Sequence, residues 1–101
     1  MLYLMMCKSN NKNIVKVGVT RQLTQRRAQY KSHNPFAIMR SSCAGTEGQE
    51  NKCHSLLNQI GKRITGTEWF EVSDEVFQDL YSQGMQKFFP NHSPIYFDEK
   101  F

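Results

Sequence analysis

Residues 14–19, Ile14-Val15-Lys16-Val17-Gly18-Val19, decide how this chain folds. β-Branched residues recur there at a period of two, which is a strand. Val15, Val17 and Val19 share one face, and Lys16 and Gly18 share the other. Upstream, Leu2-Tyr3-Leu4-Met5-Met6 reads as a second strand in which Leu2, Leu4 and Met6 oppose Tyr3. The polar turn Lys8 to Asn13 is short enough to make the pair an antiparallel hairpin. If both aliphatic faces meet one core, Tyr3, Lys16 and Gly18 lie together on the opposite side. Gly18 is expected to leave that surface open to a substrate backbone.

Downstream, Thr20 or Thr24 is placed to cap a helix running to about Ser32, which Asn34-Pro35 stops. Ala37 to Ala44 is a third strand candidate. Thr46 then caps a second helix whose apolar positions are Cys53, Leu56, Leu57 and Ile60, and Gly61 to Gly66 ends it. Trp69 to Val72 is a short strand, with Trp69 and Phe70 assigned to the core. Ser73-Asp74-Glu75 opens a third helix with Val76, Phe77, Leu80, Tyr81 and Phe88 on one face. The order β-β-α-β-α-β-α predicts an α+β fold, a small antiparallel sheet flanked by helices. Residues 1–88 form the domain and 89–101 an aromatic C-terminal tail.

The chain has 101 residues, enough for one domain with a modest core. No apolar run approaches the ~20 residues that span a bilayer, and Met1 to Cys7 is too short for a secretory segment. An odd number of widely spaced cysteines supports neither a disulfide framework nor a zinc knuckle. These features predict an intracellular protein without a membrane partner.

Charge is unevenly distributed along the chain. Lys8, Lys12, Lys16, Arg21, Arg26, Arg27, Lys31 and Arg40 precede the first acidic residue, Glu47. The remainder holds five basic residues and all nine acids, −4 against the +8 before it. Such a field predicts a phosphate polyanion as partner, DNA first and RNA next. Arg26 and Tyr30 lie one turn apart on a shared face with Leu23. An arginine fork there suits a phosphate oxygen, and Arg27 is the neighbouring candidate. Arg21, Arg27, Lys31 and Gly18 are the expected substrate contacts. Glu50 sits at the edge of the second helix's buried stripe, aimed into a cleft. A lone carboxylate facing a basic surface is a plausible anchor for one Mg²⁺ or Mn²⁺ ion, which takes its other ligands from water and phosphate. His54, one turn later, is placed to orient Glu50 or assist proton transfer.

The run Leu2-Tyr3-Leu4, Lys16-Val17-Gly18-Val19-Thr20, Arg26, Glu50-x-x-x-His54 and Glu68-Trp69-Phe70 resembles a GIY-YIG nuclease domain. Within that superfamily it resembles the small phage and viral subgroup with K-[I/V]-G in the second motif and a downstream E-W-F. The resemblance spans about residues 1 to 80. It implies a three-stranded antiparallel core sheet and a metal-dependent endonuclease acting on DNA. By position it makes Tyr3 the tyrosine that activates or contacts the attacking water. Lys16 replaces the second-motif tyrosine. Arg26 steadies the scissile phosphate, Tyr30 fills a histidine-or-tyrosine site, and Glu50 holds the metal. Met1 stands in place of the first-motif glycine. Thr65, Thr67 and Glu68 occupy the region of a late asparagine near the metal site. Two other readings fit the same residues. One is a nucleic-acid-binding module with little or no cleavage. The other is a viral protein-interaction or inhibitor factor using the acidic third helix and the aromatic tail. A homodimer or a protein partner is compatible with each reading.

Overall fold

The hairpin forms as its alternation requires, and its strands are longer than the apolar runs. In the computed structural model, which describes residues 1–101, β1 is Leu2–Ser9 and β2 is Lys12–Val19. Asn10 and Asn11 make the two-residue connection with φ of 50° and 63°. That left-handed pair matches the strand twist, and asparagine tolerates it better than most residues. The register sets Tyr3 opposite Gly18 and Leu4 opposite Val17.

Helix α1 is Leu23–His33, β3 is Ala37–Cys43 and α2 is Glu47–Ile60. Thr46 and Gln49 close a reciprocal capping box at the start of α2. By contrast, α1 has no side-chain cap. Its N-cap residue is Gln22, and the Thr20 hydroxyl accepts from the Gln22 N–H ahead of the helix. Neither Thr20 nor Thr24 therefore caps it. After α2 come β4 (Gly61–Arg63), β5 (Phe70–Val72) and α3 (Asp74–Gln83). Gly84, with φ 58°, ends α3 and starts a 3₁₀ turn over Gly84–Lys87. Phe88 thus lies beyond α3, which corrects the longer helix expected from its spacing. The chain returns through β6 (Ile95–Tyr96).

The fold is α+β, and its sheet is larger than the three strands expected. Six strands run β4-β5-β2-β1-β3-β6, every pairing antiparallel. The two-residue β6 pairs Ile95 and Tyr96 with Ser42 and Ser41. β3 carries one extra residue, Arg40, at a bulge opposite the Leu4–Met5 step.

β1 is covered on both faces. Leu2, Leu4 and Met6 join Val15, Val17, Cys53, Leu57, Phe70, Phe77 and Leu80 in the main core under α2 and α3. Tyr3, Met5 and Cys7 join Ala37 and Met39 in a smaller core on the opposite face, against Leu23 and Tyr30 of α1. All three cysteines are free and buried. No helix is long and apolar enough to cross a membrane.

Candidate nucleic-acid interface

Strand alternation and one missing side chain build the centre of the site. Tyr3 and Gly18 face each other across β1 and β2 on the face that carries α1. A Cβ at Gly18 would lie 2.9 Å from the Tyr3 Cε1 and nearer still to Cζ and the hydroxyl. The phenol ring therefore rests on the glycine backbone, and both residues are buried. This corrects the expectation that Gly18 leaves an open surface for substrate. The space is filled by Tyr3, because a ring on a strand crossed by two neighbours can lie flat only over a residue without a side chain.

Tyr30 of α1 sits over this pair, its ring 6.1 Å from that of Tyr3 and tilted by 60°. The Lys16 ammonium lies 5.2 Å from the centre of the Tyr30 ring. It also pairs with Glu68 at 3.3 Å. Trp69 borders the same cluster, half-buried, while Phe70 beside it points into the main core. Adjacent residues of an extended segment point to opposite faces. Trp69 thus packs at the rim of the smaller core on the site face, and full burial in the core holds for Phe70 alone.

Burial pushes the Tyr3 phenol up from its ordinary value, and the neighbouring Tyr30 hydroxyl adds to the shift. Glu50 pushes it the same way, and Arg26 alone acts in the opposite sense, too weakly to change the outcome. Tyr3 is thus a neutral hydroxyl. The lowered pKa that a base role for Tyr3 would need from nearby cations does not arise, because desolvation outweighs them. A neutral hydroxyl both donates and accepts, so it can relay a proton without holding one.

Glu50 acts on Tyr3 from the first turn of α2 and forms no salt bridge. No cluster of three or more His, Cys, Asp or Glu side chains gathers around it. A single free carboxylate fits Mg²⁺ or Mn²⁺ only in the mode that keeps most of the ion's waters and takes further ligands from phosphate. In that mode Glu50 is the residue that would hold the ion. His54 does something else. Its Nε2 lies 2.8 Å from the Val17 carbonyl, to which it donates, and its ring packs 5.9 Å from that of Phe70. The imidazole ties α2 to β2 and makes no hydrogen bond with Glu50.

The eight basic residues of the first half do not make one face. Lys12 pairs with Glu71, Lys16 with Glu68, and Arg27 and Lys31 with Glu99. The Arg27 Nε to Glu99 Oε2 distance is 2.7 Å, and the Arg27 guanidinium lies over the Phe97 ring. Arg27 and Lys31, expected at the substrate, are paired with the tail in this structure. Arg40 donates to the carbonyls of Tyr81 and Phe97 and stacks on the Tyr81 ring. The Lys8 ammonium lies near Phe77 and Phe101. Arg21 and Arg26 have no acidic or hydrogen-bonding side-chain partner. They line adjoining concavities of about 330 and 650 Å³ beside the N-terminal halves of α1 and α2. The pairings of Glu68 and Glu99 were not readable from the sequence, because their partners lie far away in the chain.

The T5orf172 domain family matches residues 1–83. The chain belongs to that family. T5orf172 domains are associated with phage and nuclease-like proteins, which agrees with a DNA-related role. No curated protein matches the chain, and neither does any solved structure.

Proposed function

We propose that this T5orf172 domain is an endonuclease of the GIY-YIG type that hydrolyses a DNA phosphodiester with one divalent cation. The observation that carries the reading is a convergence. Tyr3, Tyr30 and Lys16 pack together on one sheet face, and Arg26 and Glu50 both act on Tyr3 from separate helices. The two uncommitted arginines, Arg21 and Arg26, adjoin it.

Each residue has a defined task. Arg26 holds a nonbridging oxygen of the scissile phosphate through its fork. Lys16 stabilises charge developing on the phosphoryl group, and its ion pair with Glu68 yields to that stronger anion. Water attacks phosphorus in line, and the bond from phosphorus to the bridging sugar oxygen on the far side breaks, that oxygen leaving with a proton from solvent. The buried Tyr3 hydroxyl accepts a proton from the water as it passes its own toward Tyr30 and solvent. Glu50 anchors the cation, which when bound supplies Lewis-acid stabilisation of the phosphoryl oxygens. Gly18 allows this geometry by leaving room for the Tyr3 ring.

Nicking of supercoiled plasmid with Mg²⁺ or Mn²⁺, against an EDTA control, tests the reading. The wild type nicks, EDTA stops it, and Glu50→Ala is inactive with an unchanged melting temperature. Wild-type rates for Glu50→Ala would sink the metal assignment. DNA retention without any nicking would replace the enzyme with a binding module.

A further inference from the structure

The glutamines on the outward face of α1 have no role in the chemistry above. Gln22, Gln25 and Gln29 recur there at helical spacing and, with Arg21 and Arg26, line the concavity of about 330 Å³. Gln25 and Gln29 are exposed, and no glutamine side chain of this row makes an intramolecular hydrogen bond. α1 contains no acidic residue and no fully buried one. A helix kept only for solubility gains from acids in its first turn and from oppositely charged pairs along its face. α1 has neither. It presents free amides beside the two free arginines, a surface that admits a polyanion and can hydrogen-bond to it.

We propose that Gln25 and Gln29 read base edges in the major groove of duplex DNA next to the phosphate held by Arg26. The inference rests on the proposed function for where the scissile phosphate lies. Its chemistry is specific. A glutamine amide pairs bidentately with N6 and N7 of adenine, and the major groove of B-DNA is wide enough for an α-helix. Residues one turn apart are separated by about 6 Å along the helix axis, close to two base-pair steps. The two amides therefore address two nearby positions on one side of the cut. Duplex RNA is a poor alternative, because its major groove is too narrow for such a reading.

The test is a binding selection, independent of cleavage. Full-length protein is incubated in EDTA with a randomised DNA duplex, and the retained sequences are compared for wild type, Gln25→Ala, Gln29→Ala and Gln59→Ala. Gln59 lies exposed on α2 and serves as a control. Wild type and Gln59→Ala enrich adenine at two close positions. Gln25→Ala and Gln29→Ala each lose enrichment at a different one, with discrimination there falling about 5- to 150-fold. The salt dependence of total binding stays unchanged, since no phosphate contact is removed. Unchanged enrichment in both glutamine variants overturns the inference, as does a wild type that selects no sequence or retains duplex RNA equally well. Selection without plasmid nicking would leave the inference standing and remove the nuclease reading.

Discussion

Gly18→Ala is the most direct perturbation of the site. The new methyl group would enter the Tyr3 ring, with Cε1 at 2.9 Å and two further ring-side atoms nearer. Ordinary contact requires the ring to retreat by about 1 Å, yet it is fully buried between α1 and the sheet. Overpacking of this kind costs about 1–3 kcal/mol. Alanine's smaller unfolded-state entropy offsets at most about 1 kcal/mol of that. At about 4–8 °C per kcal/mol in a domain of this size, the midpoint should fall by up to roughly 20 °C. Tyr3→Leu removes the atoms that collide. In that background Gly18→Ala should cost little or nothing, giving a coupling energy of about 1–3 kcal/mol. Thermal unfolding of the four proteins of this cycle measures it. Equal costs of Gly18→Ala in both backgrounds would refute the packing of Tyr3 on Gly18.

Other expectations follow from the same contacts. Arg26→Ala should flatten the log–log salt dependence of duplex binding by about 0.9 and slow cleavage, while Lys87→Ala, whose lysine pairs with Asp79, should do neither; titration at several salt concentrations decides it, and equal slopes would dissolve the assignment of Arg26. Phe70→Ala should destabilise by about 3–5 kcal/mol in chemical denaturation, and Trp69→Ala by clearly less, because only Phe70 is fully buried. Burial pushes the Cys53 thiol up from 9.0 to about 12, and the Cys7 and Cys43 thiols upward as well. The folded state thus keeps protons that the unfolded chain releases, so the stabilisation is complete below about pH 9 and declines as pH rises toward 12. Denaturation midpoints across that range should fall less steeply in Cys53→Ala, and parallel profiles would contradict the burial effect.

The hairpin was legible because β2 alternates cleanly, and α2 and α3 because their apolar stripes have helical spacing. β1 was harder to read. Its face bearing Tyr3, Met5 and Cys7 is covered by α1, so a strand buried on both sides looked half open. β4 and β6 are too short for any periodicity to show. At the site, the positions of Arg26, Tyr30 and Glu50 on helices were legible from spacing. The occupation of Arg27 and Lys31 by Glu99 was not, because 72 residues separate Arg27 from Glu99. A one-sided charge pattern along the chain therefore became, in space, a set of local pairs with two arginines left over.

The order of the strands also bears on edge-to-edge association. The long strands β1, β2 and β3 are all interior, and the sheet ends in β4, of three residues, and β6, of two. A sheet of β1, β2 and β3 alone would expose the backbone edges of an eight- and a seven-residue strand. Such edges are templates for intermolecular pairing and fibrillar growth. Ile95 and Tyr96 shield part of the β3 edge, and β5 shields part of β2. The aromatic tail thereby guards that edge against intermolecular pairing, a demand on its sequence separate from the proposed cleavage.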